Sequence, residues 1–383
     1  MCDNIRQKCG LSNMGNTCYI NSVIQLLINN NKFCDFFVSG NYNNYLEKVI
    51  KNNNDDDDYD MDEEKEKTIT KQLNNIIDGT KGIKQKEIVP RKFRKVCGNY
   101  YEDYNGYYQQ DAMEFLLRIL DKINDECGVK KKMSRKYEND VTIDYEYYLL
   151  KYNYHKEGDK KRKYLNEIKK LKNKNKDIIK KYDAINFIIK TFEKQYNPLI
   201  KNIIIFDVIN IHCKKCNFTS NSYESNNLLI LELTNTLNEC FINNYSKEEL
   251  LEGYKCSNCN DSSEIYKSKK IFKSPKLLFI NINRFENNGY FTKKNNNEID
   301  MPFLLNIKDY CDTYINEEEN YTYGLKGYIE HLGNSKNGGH YTATSYDDEI
   351  GKWFYYDDNN IYQIKNNNKI NKNNGYIFLY EIL

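Results

Sequence analysis

Residues Gly10–Gln25 read GLSNMGNTCYINSVIQ, and they pose the first question of the chain: why a cysteine stands directly after Gly-Asn-Thr. From Tyr19 to Phe37 apolar residues recur at helical spacing, with Ile20, Val23, Ile24 and Leu27 on one stripe. Cys18 then falls in the first turn of a helix. A thiol there has three open readings: packing, metal ligation or nucleophilic attack. A buried core thiol is the commonest fate of a cysteine. The positive end of a helix favours the thiolate, and a nearby imidazolium would favour it further. The rest of the sequence has to supply that partner.

Four histidines are available: His155, His212, His331 and His340. His155 lies in a lysine-rich stretch. His212 adjoins a CxxC pair, as an alternative ligand or as its neighbour. His331 and His340 flank the loop LGNSKNGGH, in which Gly338-Gly339 lets the backbone turn and leaves access beside His340. Tyr341–Ser345 reads as a strand, and Trp353–Tyr356 as the next one, ending in Asp357-Asp358. In an antiparallel pair those ends are adjacent. Asp357 can then accept a hydrogen bond from one imidazole nitrogen and orient His340. A histidine held this way can take a proton from a thiol. Spacing alone does not bring residue 18 to residue 340.

Cys213-Lys-Lys-Cys216 and Cys256-Ser-Asn-Cys259 form two CxxC pairs with 39 residues between them. Four thiolates from two tight knuckles satisfy a closed, structural Zn²⁺ site, whose work is folding. The alternative is four buried free thiols. One CxxC would carry little weight; two beside predicted strands favour one structural zinc. A redox role is disfavoured because neither pair opens a βαβ unit.

The 383 residues suffice for one large domain or two to three smaller ones. Hydrophobic residues make up 39% and charged residues 29%, so solvated insertions are expected. A net charge of +2 gives no global field toward nucleic acid or an anionic membrane. No stretch reaches the roughly 18 apolar residues of a membrane span. The start, MCDNIRQKCG, lacks the apolar core of a signal peptide. Twelve cysteines without such a signal point to reduced thiols and a cytoplasmic or nuclear location.

Along the chain, residues 51–67 carry an acidic run, Asp55–Asp58 and Asp62–Glu64, expected as a solvated mobile loop. Met113, Leu116, Leu117, Leu120 and Ile123 predict a second amphipathic helix starting near Asp111. Residues 130–195 are lysine-rich and read as an insertion with one or two surface helices. A solvated face is favoured there over contact with a phosphate backbone. From Asn202 onward short β-branched and aromatic runs dominate: 203–206, 228–233, 271–272, 277–282, 323–328, 340–345 and 353–356. Helices first and strands later make an α+β fold.

These stretches together resemble the ubiquitin-specific protease family of cysteine deubiquitinases. GLSNMGNTCYINSVIQ resembles its cysteine box, and YYQQDAMEFLLRIL its QQDxxEF helix, with Met113 at a position often occupied by His or Ser. SPKLLFININRF resembles the strand before the palm. GYIEHLGNSKNGGHYTATSY followed by KWFYYDDNNI resembles the histidine box and the motif of the third residue. LEGYKCSNC resembles the second zinc knuckle. The resemblance implies a papain-like α+β hand in a single catalytic domain, 1–383. A helical thumb would span 1–129, followed by the lysine-rich insertion and the end of the thumb at 130–200. Zinc-bearing β fingers would span 201–275 and a β palm 276–383. It implies Cys18 as nucleophile, His340 as general base, Asp357 as its orienting carboxylate and Asp358 as a supporting polar residue. Asn13 would be the oxyanion donor, and Gln110 and Asp111 supports near the cleft. It further implies ubiquitin and ubiquitinated proteins as partners, without nucleic acid or membrane, and a monomer. A silent ubiquitin-binding scaffold, or a protease for another Gly-Gly-ending modifier, stays open as an alternative.

Overall fold

The computed structural model describes residues 8–54, 59–81, 86–134, 139–287, 292–315, 320–335, 338–365, 370 and 374–383. Its centre is helix α1 (Cys18–Ile28), in which every residue from Cys18 to Leu27 is buried. A helix buried all round has to be enclosed by other elements. The apolar run 19–37, expected as one helix, is two. Asn29 ends α1, and the side chain of Asn30 accepts from Phe33 N to cap α2 (Asn31–Val38). The periodicity continues across the break because the capped turn keeps both apolar faces toward the same core.

Helices α3 (Asn41–Asn53), α4 (Met61–Glu66), α5 (Ile69–Lys81), α6 (Arg91–Tyr100) and α7 (Ala112–Cys127) complete the N-terminal helical half. Asp55–Asp58 lie outside the described residues. The remaining acidic run is not the expected loop: Asp60 accepts from the amides of Asp62 and Glu63, and Asp62, Glu63 and Glu64 occupy the first turn of α4. Carboxylates favour that end of a helix. Buried Lys65 fixes the segment by pairing with Glu47 at 2.6 Å. Strands β1 (Gly10–Leu11) and β2 (Glu87–Ile88) pair in parallel at its edge.

The lysine-rich stretch holds three helices rather than one or two: α8 (Asp140–Tyr154), α9 (Asp159–Lys174) and α10 (Lys176–Lys194). They bury a small core of Tyr145, Ile168, Ile179 and Tyr182. The far end of α10 belongs to the main core through Ala184 and Phe192. Val129 and Tyr196 exchange backbone hydrogen bonds at its base, at 3.0 and 2.8 Å. The segment is therefore rooted in the domain.

The second half is built on two sheets. Strands β3 (Ile205–Cys213) and β4 (Thr219–Asn226) lead to β5 (Leu229–Glu232), helix α11 (Leu237–Tyr245), β6 (Glu249–Leu250) and β7 (Ile265–Lys273). The order β4-β3-β7-β6 makes a four-stranded antiparallel sheet. β5 leaves that run to pair in parallel with β8 (Leu277–Asn283). A parallel pair needs a long crossover, here α11, β6 and β7. After β9 (Phe285–Asn287), β10 (Thr292–Lys294) and β11 (Leu304–Asn306) come β12 (Thr322–Ser335), β13 (Gly338–Asp347), β14 (Lys352–Asp357), β15 (Asn360–Ile364) and β16 (Gly375–Ile382). The large sheet runs β15-β14-β13-β12-β16-β8-β5, with β11 on β12. Strand β16 shows why it holds two cores: Ile377 and Leu379 face the helical half, Phe378 and Tyr380 the other side. Helix α1 lies against β13, which brings its N-terminus to the start of that strand. Among the described residues, no helix is long and apolar enough to cross a membrane.

Candidate active site

The site begins with the loop that presents Cys18. Gly15 (φ 95°) and Asn16 (φ 51°) both occupy the left-handed region, which turns the chain sharply before α1. The Asn13 side-chain oxygen accepts from Gly15 N at 2.9 Å, and from Thr17 N and Thr17 Oγ1 at 3.3 Å each. Met14 N donates back to Thr17 Oγ1 at 2.9 Å. The loop is thus closed by its own polar side chains, and Cys18 is the first residue of the helix. The first-turn N–H groups of a helix lack intrahelical acceptors and carry partial positive charge.

The opposite wall comes from the large sheet. β13 and β14 are antiparallel with Ala343 opposite Tyr356, so Asp357 at the end of β14 lies beside the start of β13, where His340 sits. His340 Nε2 and Asp357 Oδ1 are 2.6 Å apart. That contact leaves Nδ1 free of Asp357, and Cys18 lies close enough to act on the imidazole. The contact with Cys18, against burial and with help from Asp357, pushes the His340 pKa up to about 9. The three side chains expected to assemble do so: Cys18 from α1, His340 from β13 and Asp357 from β14. The glycine before His340 is required by space as well as by its φ of 153°. A Cβ on Gly339 would fall 2.4 Å from Leu332 O and 2.6 Å from His331 Nε2.

Asp358 does not reach for the histidine. It sits at φ 50°, in the turn after β14, and its carboxylate takes two amide donors. Asn13 Nδ2 donates to Oδ2 at 2.8 Å and Asn21 Nδ2 to Oδ1 at 2.8 Å. His340, Asp357 and Asp358 also offer three ligand atoms within 4.8 Å of one another. Asp357 Oδ1 is engaged by the imidazole and both Asp358 oxygens by the two amides. The turn is seated on the N-terminal strand. Leu11 N donates to Asp358 O at 3.0 Å, and a Cβ on Gly10 would fall 2.4 Å from Asn359 O.

Asn21 is the residue that sequence reading missed. It lies three positions after Cys18, and its amide also reaches Leu11 O at 3.1 Å and Ser12 O at 3.3 Å. The available signal was an asparagine among apolar residues on a helix stripe, since a buried amide needs partners. Gln110 donates to Asp103 O at 3.2 Å. Asp111 caps α7 and accepts from Tyr376 OH at 2.8 and 3.0 Å, tying that helix to β16.

The other histidines stand apart. His155 stacks on Tyr164 in the insertion, and His212 Nδ1 lies 3.1 Å from Thr219 Oγ1. His331 is fully buried, and burial lowers its pKa to about 4, so it stays neutral.

Cys213, Cys216, Cys256 and Cys259 converge at the end of the four-stranded sheet, their sulfurs all within 4.8 Å of one another. Cys213 and Cys259 are 3.7 Å apart, as are Cys216 and Cys256. Four sulfurs at about 2.3 Å from a tetrahedral Zn²⁺ would be about 3.8 Å apart. Each knuckle ends in an asparagine at positive φ, Asn217 (55°) and Asn260 (59°). Asn258 N donates to Cys256 Sγ at 3.4 Å and Asn258 Nδ2 to Cys216 Sγ at 3.6 Å. N–H donors aimed at sulfur suit thiolate ligands, so the donor set fits one divalent ion.

A family model described as ubiquitin carboxyl-terminal hydrolase matches residues 9–380. Curated relatives include ubiquitin carboxyl-terminal hydrolase 4 of Eremothecium gossypii, 24% identical over 98% of this chain and 43% of that protein. Another is ubiquitin carboxyl-terminal hydrolase Usp2 of Drosophila melanogaster, 23% identical over 97% of this chain and 34% of that protein. The chain spans less than half the length of these relatives. Among solved structures, a chain of the Ubp8/Sgf11/Sus1/Sgf73 SAGA DUB module bound to monoubiquitin shares the fold. Its TM-score is 0.69 at 21% identity, over 100% of this chain and 71% of that one. The same module bound to ubiquitin aldehyde gives 0.68 at 21% identity, over 100% and 72%.

Proposed function

The chain belongs to the ubiquitin carboxyl-terminal hydrolase family, and on that premise we propose that it is a thiol deubiquitinase cleaving the bond after ubiquitin's C-terminal glycine. The observation that carries the reading is the convergence of Cys18, His340 and Asp357 from three separate elements. The helical half serves as thumb, the four-stranded sheet as fingers and the large sheet as palm. Ubiquitin and ubiquitinated proteins are the partners, with the Gly-Gly tail between α1 and the start of β13.

In the reaction, Cys18 Sγ bonds to the glycine carbonyl carbon while His340 holds the thiol proton. The carbonyl oxygen becomes an oxyanion. Asn13 has one amide hydrogen on Asp358 and a second free to donate to that oxygen, beside the first-turn N–H groups of α1. Collapse breaks the C–N bond, and His340 gives its proton to the departing amine. Water then attacks the thioester, His340 takes its proton, and the Cys18 thiol re-forms. Asp357 keeps the ring in register.

Zinc is the ion we assign to the four cysteines. It would cross-link the tips of the four-stranded sheet and supply folding energy rather than chemistry. The proposed catalytic groups all lie on one chain. The test is hydrolysis of ubiquitin carrying a fluorogenic C-terminal amide. The wild type should turn over and Cys18→Ala should not, while still binding ubiquitin. Equal turnover by both would remove Cys18 as nucleophile.

A further inference from the structure

Helix α8 is apolar on two opposite faces. Val141, Tyr145, Tyr148, Leu149 and Tyr152 pack into the small core of the insertion. On the other side Ile143, Tyr147, Leu150 and Tyr154 are 52%, 50%, 64% and 81% exposed. Their spacing of i, i+4, i+7 and i+11 puts all four on one narrow stripe. A single exposed apolar side chain needs no explanation, whereas a contiguous stripe marks a contact surface.

Charge says what covers it. Along one edge of the stripe run Asp140 and Asp144 in the N-terminal half and Lys151 in the C-terminal half. Among the described residues neither Asp144 nor Lys151 forms an ion pair; Lys151 only overhangs the Tyr147 ring. Two α8 helices laid antiparallel, with the two-fold between Tyr147 and Leu150, set Tyr147 on Leu150 of the second copy and Ile143 on its Tyr154. Asp144 of each copy then lies about two residues, roughly 3 Å along the axis, from Lys151 of the other. Antiparallel helices also oppose their dipoles favourably. We propose that α8 is a self-association face, through which two copies of this chain form a two-fold symmetric dimer.

One helical stripe is smaller than the roughly 800 Å² per partner of a stable interface, so the dimer forms only at high protein concentration. It is not needed for hydrolysis and does not rest on the proposed activity. The test is sedimentation of the full chain from low micromolar to the highest soluble concentration. The mass should rise from one chain to two. Leu150→Glu, at an exposed position, should stay monomeric throughout with unchanged ubiquitin hydrolysis. Lys151→Asp should also abolish the dimer, and Asp144→Lys combined with Lys151→Asp should restore it. A monomer at every concentration, a dimer untouched by Leu150→Glu, or a charge swap that fails to restore association would each overturn the proposal.

Discussion

The side-chain amide of Asn13 donates to Asp358 Oδ2 at 2.8 Å, joining residues that lie 345 positions apart. The bond holds the Asn13 amide, the proposed oxyanion donor, against the turn that follows Asp357. Removing an oxyanion donor costs about 10²–10³ in turnover. Asn13→Ala should therefore lower kcat by that order. Asp358→Ala should act in the same direction, because it releases Asn13. The double variant should be little worse than the poorer single one, since both act through one amide. Initial rates on a ubiquitin substrate, arranged as a double-mutant cycle, would decide this. Fully multiplicative losses would separate the two roles.

Asn21 binds the other oxygen of Asp358 and two loop carbonyls. Asn21→Ala leaves the buried Leu11 O and the half-buried Ser12 O and Asp358 Oδ1 without that donor, so a stability loss of about 1–3 kcal/mol is expected. Turnover should fall beyond what unfolding explains, because Asp358 loses its anchor on α1. Urea unfolding and kcat measured on the same preparation would show it. A stable variant with normal kcat would reduce Asn21 to ordinary packing.

His340 is held protonated up to about 9, first by Cys18 and then by Asp357, against burial. Its imidazolium is thus lost only as pH rises through about 9, so kcat/KM should fall on the alkaline side there. In Asp357→Asn one of the groups holding that proton is gone, and the alkaline limb should shift toward the ordinary 6.5. The folded pKa lies above the unfolded one. The stabilisation is therefore complete below 6.5 and is lost as pH rises through about 9. A pH–rate profile identical in both proteins would contradict this coupling.

Phe192 lies in the main core, although it belongs to the lysine-rich stretch. Phe192→Ala should cost about 3–5 kcal/mol in urea unfolding. Excising 130–195 should leave a chain that does not fold, since it removes Ala184 and Phe192 from the main core together with the backbone bond from Lys131 N to Glu193 O. Replacing only 139–175 with a short linker should preserve ubiquitin hydrolysis. Loss of activity in that shorter deletion, with normal folding, would show that α8 and α9 shape the site.

Cys256→Ser breaks the four-thiol set. Metal content by elemental analysis should fall from about one zinc per chain, and the urea midpoint should drop. The fraction that stays folded should still hydrolyse ubiquitin, because the four sulfurs lie away from Cys18. A metal-free wild type of equal stability would remove zinc from the account.

The sequence was most legible where chemistry is local. The CxxC knuckles, the capped start of α7 at Asp111 and the hairpin carrying His340 and Asp357 all follow from short-range patterns. It was least legible where tertiary context decides. β4, TSNSYESN, has almost no apolar residue and is a strand only because β3 supplies its hydrogen bonds. Charge masked α4, α8 and α9, whose helices are held by caps and a buried minor core. Asn21 escaped because its partners Leu11, Ser12 and Asp358 meet only in the folded chain.

Cys18 is proposed as the nucleophile of an assembled ubiquitin-tail site. Its most direct test is reaction of the purified chain with ubiquitin bearing a C-terminal thiol-reactive warhead, read by intact mass and peptide mapping. A single adduct is expected on the peptide containing Cys18, absent in Cys18→Ala. An adduct on another cysteine, or none while ubiquitin still binds, would contradict it.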